Sequence, residues 1–367
     1  MDGDDIGPLG RETDEVPGAE GSDWRIYLGD GTTHDGLDRL PPPPPWRAYS
    51  GGPLITPEFG TDDAAERRLG SAGQASAYRA DENVVRMVNA ALYLRRPLLV
   101  TGKPGTGKST LAYSIAYELK LGPVLSWPIT SRSTLGDGLY QYDALGRLQD
   151  ANLQQFMPDP GTPGAVQDVG HFVRLGPLGT ALLPQARPRV LLIDELDKSD
   201  IDLPNDLLHV FEDGRFDIGE LARLPDSQSP AWVFTADVDS RTADGRFRVP
   251  IDRGRVTCNA FPIVVITSNA EREFPAAFQR RCMRLTIQPP GREKLAAIVA
   301  AQLGAEAAEQ AGPIIGRFLD GRERGDIATD QLLNAIYFAT SGAQVPETSF
   351  ERLEQALLSP LGAAGVR

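Results

Sequence analysis

Cysteine and histidine are scarce in this chain: Cys258 and Cys282 of the first, His34, His171 and His209 of the second, in 367 residues. Their number and scatter exclude a disulfide framework and a Cys/His zinc site, since neither has its ligands at the spacing it needs. Basic charge is also short. Lys and Arg total 37 against 50 Asp and Glu, for a formal net charge of −13. Such a surface repels a phosphate backbone, so nucleic acid is disfavoured as the main partner and proteins fit better. No run approaches the roughly 18 apolar residues of a membrane span. The stretch Met1 to Glu15 is acidic and lacks the apolar core of a signal peptide, which predicts a cytoplasmic protein with no membrane contact.

What is present is enough apolar sequence, 41% by composition, for two domains and a tail. Residues 1–80 are rich in Gly, Pro and Asp, contain the run Pro41 to Pro45 and show little apolar periodicity. Positions 1–40 hold eleven acidic and three basic residues, most of the net charge of the chain. This composition predicts a mostly disordered acidic arm. Its aromatic islands, Trp24 with Tyr27 and Trp46 with Tyr49, read either as docking points for a partner or for the chain's own body, or as solvated low-complexity sequence.

From Asp81 the pattern changes. Val84, Met87, Val88, Ala91 and Leu92 share one helical face. Apolar runs and helical stretches then alternate through Pro97–Thr101, Lys108–Leu121, Pro123–Ile129, Val190–Asp194, Pro204–Asp213, Phe261–Thr267 and Met283–Ile287. Alternation of this kind predicts an α/β domain over 81–290, with a mainly parallel sheet covered by helices on both faces. The stretches 131–188 and 215–258 are too long for plain connections and read as insertions. After Pro290 strands stop. Leu295, Ile298, Val299 and Leu303, with later helices near Leu332–Ala339 and Phe350–Leu358, predict a small all-helical domain over 291–367.

The strongest motif is Gly102-Lys103-Pro104-Gly105-Thr106-Gly107-Lys108-Ser109, followed by Thr110, set between a predicted strand and a predicted helix. It satisfies the P-loop pattern G-x-x-x-x-G-K-[ST]. Glycines let the backbone wrap with its N–H groups inward, and the helix N-terminus adds partial positive charge, so the loop suits an anionic triphosphate such as ATP. Lys108 is placed to reach the β and γ phosphates. Ser109 is placed to give a hydroxyl to Mg²⁺, a hard cation that shares phosphate oxygens and takes few protein ligands.

A second element, Val190-Leu191-Leu192-Ile193-Asp194-Glu195, is an apolar strand ending in two carboxylates. Asp194 fits a Mg²⁺ ligand and Glu195 a residue that polarises an attacking water, a pairing that favours hydrolysis over transfer to a second substrate. The following Asp197-Lys198-Ser199-Asp200 loosely matches a guanine-specificity motif but follows the metal strand directly rather than a later strand, so it reads as a solvated loop. A third strand, Phe261–Thr267, ends in Ser268-Asn269, where Asn269 either orients the water or forms a turn. Then comes Phe274–Cys282, a short predicted helix with Arg280 and Arg281 near its end.

These elements in this order resemble the AAA+ superfamily. Gly176-Pro177-Leu178-Gly179, with Leu207-Leu208-His209-Val210-Phe211-Glu212-Asp213-Gly214, looks like the G-P-L and L-L-x-x-x-E-x-G pattern of its MoxR branch. The resemblance covers about 81–367. It implies a sheet order 5-1-4-3-2, a homo-oligomeric hexameric ring, a pore-facing insertion within 131–188 and a β-hairpin before the Asn269 strand. It also implies that Asn269 is the sensor-1 residue and Arg281, with Arg280 as second choice, the arginine finger, so that Glu195, Asn269, Arg281 and Arg280 are the candidate catalytic set. The stretch Ala328–Leu333 lacks the lid arginine many relatives carry. MoxR-type ATPases act as chaperones beside von Willebrand factor A (vWA) proteins. The stretch Leu94–Tyr140 looks like versions from bacterial conflict systems that pair such a protein with a protease-like effector. An ATP-hydrolysing remodeller of partner proteins is therefore expected, with a nucleotide-dependent switch of little turnover as the alternative and a DNA motor opposed by the overall charge.

Overall fold

The computed structural model describes residues 24–57, 75–156, 168–238, 246–322 and 329–341, with Ile327, Leu353 and Leu357. Asp81 caps α1 (Glu82–Leu94) by accepting the Val84 N–H at 2.9 Å, and Val84, Val88, Ala91 and Leu92 are buried along one face. β1 (Leu98–Thr101) runs through the glycine loop into α2 (Lys108–Glu118), and β2 (Leu125–Pro128) follows. An inserted stretch holds α3 (Leu135–Leu139), β3 (Tyr140–Tyr142), α4 (Ala144–Phe156), β4 (Val173–Leu175) and α5 (Pro177–Ala181). β5 (Val190–Asp194), α6 (Leu203–Asp213), β6 (Arg215–Asp217) and α7 (Gly219–Ala222) come next. They lead to the antiparallel pair β7 (Ala231–Val238) and β8 (Arg246–Ile251). β9 (Arg255–Thr257), β10 (Ile263–Ser268), α8 (Ala276–Arg281) and β11 (Met283–Thr286) complete the α/β body.

The central sheet has the order β11-β1-β10-β5-β2, and every pairing in it is parallel. Counted over these five strands alone, that is 5-1-4-3-2, as the resemblance implies. Parallel strands buried on both faces read as continuous apolar runs, and here the alternation still decides which helices each side chain meets. Leu98, Val100, Leu192 and Val265 pack against α1 and α2, while Leu99, Leu191, Ile193 and Ile266 face the core under α5 and α6.

The two insertions are not independent. β3 and β4 come from the first, β7 and β8 from the second, and together they form one sheet of order β3-β4-β7-β8, in which β4 runs parallel to β7. A buried ion pair ties this layer to the body: both terminal nitrogens of Arg189, beside the start of β5, donate to Asp237 of β7 at 2.8 Å.

The expectation of a disordered arm over 1–80 fails for residues 24–57, which pack against the body. Ile26, Tyr27 and Leu37 are buried with α1 and α2. Further on, Tyr49 and Ile55 pack on the opposite core. The physical reason lies partly in the body. Glu118, fully buried at the end of α2, has its carboxylate satisfied by the N–H groups of Leu28 and Gly29, and Asn89 of α1 accepts from the N–H groups of Ile26 and Tyr27. Buried polar groups require partners, and this segment supplies them. Composition averaged over eighty residues conceals such anchors. Tyr27 and Tyr49 therefore dock on the chain's own body, whereas Trp46 remains 71% exposed. Residues 1–23 and 58–74 of the predicted arm lie outside the described residues.

After Pro290 come α9 (Arg292–Leu303), α10 (Ala305–Gln310), α11 (Gly312–Arg322) and α12 (Thr329–Thr340). They share a separate core of Leu295, Val299, Phe318, Leu332 and Ile336. Of the helix expected at 350–358, only Leu353 and Leu357 fall within the described residues.

Candidate nucleotide site

The C-terminal ends of β1, β10 and β5 lie side by side, where open α/β sheets place their ligands. Register fixes the meeting point: Thr101 is level with Ser268, and Ile266 with Ile193, so the residues following each strand converge. Gly102 opens the loop against β11's continuation, where an added Cβ would stand 2.6 Å from the Ile287 carbonyl oxygen. Gly107 heads α2 with φ 85°, a left-handed conformation that glycine adopts without steric cost. Pro104 and Gly105 form the exposed crest, Thr106 is buried with its hydroxyl donating to Lys103 O at 2.9 Å, and Thr110 is half-buried in the first turn of α2.

Lys108 is buried and its ammonium donates to Gly102 O at 2.8 Å, Lys103 O at 2.9 Å and Asn269 Oδ1 at 2.8 Å. Burial pushes its pKa down from 10.5, opposed by the negative charges of Asp197, Asp194 and Glu195. Ser109 Oγ donates to Asp194 Oδ1 at 2.7 Å, and Thr267 Oγ1 donates to the same oxygen at 2.6 Å. Thr267 in turn accepts the Glu195 N–H at 2.8 Å. Thus hydrogen bonds through side chains join the loop, the acidic strand end and the Asn269 strand end.

Glu195 has φ 60° and ψ 48°, the left-handed region, which costs a non-glycine residue about 1–2 kcal/mol and turns its carboxylate out of the strand direction. That carboxylate is half-exposed and accepts from Lys198 Nζ at 2.6 Å, which holds the Lys198 pKa above its ordinary value. The loop after it differs from the solvated segment expected. Asp197 is 6% exposed, and its Oδ2 accepts the N–H groups of Asn269 at 2.9 Å and Glu271 at 3.2 Å. A polar residue in a turn carries no sequence sign of burial, so neither Asp197 nor Thr267 stands out in the sequence. Their one signal is a side chain able to hydrogen-bond beside an acidic or Ser-Asn strand end.

A profile described as the AAA domain (dynein-related subfamily) matches residues 97–282, about half of the chain and the whole of this cluster. The chain belongs to this family. No curated protein matches it in sequence. An AAA domain is a nucleotide-dependent ATPase module that typically works in a ring. No helix among the described residues is long and apolar enough to cross a membrane.

In this AAA domain the two arginines of α8 differ. Arg281 Nε donates to the Glu212 carboxylate of α6, while Arg280 is exposed and its side chain has no hydrogen bond or ion pair among the described residues. Both stand apart from the Lys108 cluster in hydrogen-bonding terms. The pair of hard oxygen donors, the Ser109 hydroxyl and the Asp194 carboxylate, suits Mg²⁺, which takes few protein ligands and completes its shell with phosphate and water.

Proposed function

We propose that this chain is a MoxR-type AAA+ ATPase that binds and hydrolyses ATP with Mg²⁺, assembles into a hexameric homo-oligomeric ring, and remodels partner proteins in a bacterial conflict or stress system. The observation that carries the ATPase part is the shared oxygen Asp194 Oδ1, on which Ser109 of the P-loop and Thr267 of β10 both converge. A hydroxyl and a carboxylate brought together at a P-loop have a ready use as a metal seat.

In this reading Gly102, Pro104, Gly105, Thr106, Gly107 and Thr110 shape and line the phosphate cradle. Lys108 exchanges its contacts with Gly102 O, Lys103 O and Asn269 for the β and γ phosphates. Ser109 and Asp194 hold Mg²⁺, which when bound neutralises charge on the phosphates. Glu195 polarises the attacking water and Asn269, released by Lys108, helps to orient it. Arg281, or Arg280 in its place, crosses to the neighbouring subunit's nucleotide. The partner would be a vWA-domain protein or a protease-like effector, a reading that rests on the resemblance of 94–140 and on the acidic net charge.

A second reading, a switch whose bound state signals with little turnover, draws on two observations. The start of α12, Thr329-Asp330-Gln331-Leu332-Leu333, offers no arginine to close a lid, and Glu195 is already engaged by Lys198. Phosphate release under steady state separates the two. A ring ATPase shows turnover that depends on protein concentration and is abolished by Glu195→Gln. The switch shows stoichiometric binding with no turnover above background. A pull-down with ATP-loaded Glu195→Gln then identifies the partner.

A further inference from the structure

Asp197 has no role in the site as assigned so far, yet its surroundings are unusual for a residue in a surface turn. It sits in the turn 196–198 just beyond β5 and is 6% exposed. β10 ends at Ser268, and the chain then bends sharply through Ala270, with φ 61°. The N–H groups of Asn269 and Glu271 on either side of that bend have left the sheet, and Asp197 Oδ2 collects both. The backbone of Asn269 is therefore fixed by a carboxylate on the adjacent strand end rather than by its own strand. From that backbone the Asn269 side chain reaches Lys108 Nζ at 2.8 Å. The other oxygen, Asp197 Oδ1, is buried with no hydrogen-bond partner among the described residues.

We propose that Asp197 is a positioning residue for ATP hydrolysis, acting through Asn269: its Oδ2 fixes the bend after β10 and so aims the Asn269 amide at the nucleotide. This rests on the ATPase reading above. A charge-assisted acceptor shared by two N–H groups holds a backbone more firmly than a neutral one. A misplacement of a water-orienting amide by a fraction of an ångström acts on turnover far more than on ground-state nucleotide affinity. The charge of Asp197 also faces Lys108, where it is the foremost opponent of the burial that lowers the lysine's pKa, with Asp194 and Glu195 behind it. Lys198, next in the chain, is engaged with Glu195 instead, so Asp197 and Lys198 serve different strand ends.

The test uses the full-length chain with Asp197→Asn, Asp197→Ala, Asn269→Ala and the double variants, measuring kcat and KM for ATP, Kd for Mg-ATP by calorimetry, and thermal melting. An asparagine at this position keeps one neutral acceptor and an alanine keeps none. The expected fall in kcat is therefore about 3- to 10-fold in Asp197→Asn and about 10- to 100-fold in Asp197→Ala, with Kd changed by less than about threefold. If Asp197 works through Asn269, its substitution adds little once Asn269 is already alanine; full additivity overturns the proposal. So does an unchanged kcat in both single variants, or a loss of nucleotide affinity equal to the loss of turnover. Should Asp197→Ala fail to fold, the asparagine variant and its double with Asn269→Ala decide alone. Glu195→Gln separates the two levels. If it abolishes turnover while Asp197→Asn and Asp197→Ala do not lower it, only this inference falls; if the unaltered chain has no turnover to abolish, the ATPase reading falls first.

Discussion

Lys108 Nζ donates to Asn269 Oδ1 at 2.8 Å, so the cation of the P-loop and the amide at the end of β10 hold each other across the sheet. On the proposed ATPase reading, a triphosphate arriving in the loop competes for that ammonium, and its capture frees the amide for water. Binding and the arming of the site are thus one exchange of partners. Lys108→Ala removes the buried cation of the loop, and we expect it to weaken Mg-ATP binding by about 100-fold or more in calorimetry while the melting temperature holds or rises, because a desolvated ammonium no longer has to be buried.

The same lysine sets a pH dependence. In the free protein burial lowers its pKa from 10.5, whereas a bound polyphosphate favours the ammonium and raises it. Above the lowered value, binding must take up a proton, so Mg-ATP affinity declines as pH rises and the decline begins below pH 10.5. Calorimetry at about pH 7.5 and at more alkaline values, in buffers of different ionisation enthalpy, checks both the decline and the proton uptake. Constant affinity up to the ordinary lysine range contradicts it.

Arg281 is held within its own chain by Glu212, while Arg280 is exposed. A finger acts on charge that develops in the transition state of a neighbouring subunit, so its removal spares ground-state binding. Arg281→Ala should lower steady-state turnover by about 10³-fold or more with Kd for Mg-ATP within about threefold of the parent. If Arg280→Ala produces that signature and Arg281→Ala does not, the role moves by one residue and the Glu212 contact is structural.

The central sheet and the P-loop are legible in the sequence because each rests on a local rule: apolar runs for strands buried on both faces, and glycines followed by Lys-Ser at a strand-to-helix turn. Glu195 and Asp194 are legible only with that loop upstream. What stays hidden are relationships that depend on distant partners. Thr267 and Asp197 become important because β10 and β5 are neighbours, a fact of topology that neither segment states on its own. The union of the two insertions rests on β4 beside β7, sixty residues apart in sequence by the level pair Arg174 and Phe234. The segment 24–57 has the composition of solvated chain, whereas its few anchors answer polar groups buried at Asn89 and Glu118.

Arg189 and Asp237 form a bidentate pair that is almost fully buried and joins the inserted sheet to the body. Removing one member leaves the other charged and unpaired, a loss of about 3–5 kcal/mol in comparable sites. Arg189→Leu should therefore lower the urea midpoint markedly, and Arg189→Leu with Asp237→Leu should recover much of the loss because no orphan charge remains. A double variant as unstable as the single one would mean that the arginine acts mainly through Pro123 O, to which it also donates at 2.9 Å.

Arg47 offers a way to watch the 24–57 segment come off the body. Its guanidinium is buried, lies over the Phe261 ring and donates to Phe211 O at the end of α6, and Gly51 N–H donates to Cys258 O at 3.0 Å close by. Burial pushes the Cys258 and Cys282 thiols up to about 12, so at neutral pH the native chain should resist alkylation at both and react at both once unfolded in urea. Arg47→Ala removes a charge-assisted hydrogen bond to Phe211 O, which keeps the Tyr49 hydroxyl at 3.2 Å, a loss of about 1.5–3 kcal/mol, and loosens the cover over Cys258 before it affects Cys282. We expect iodoacetamide to label Cys258 several-fold faster than Cys282 in this variant, read by peptide mass spectrometry. Equal rates at the two thiols would show that the segment opens only when the whole domain unfolds.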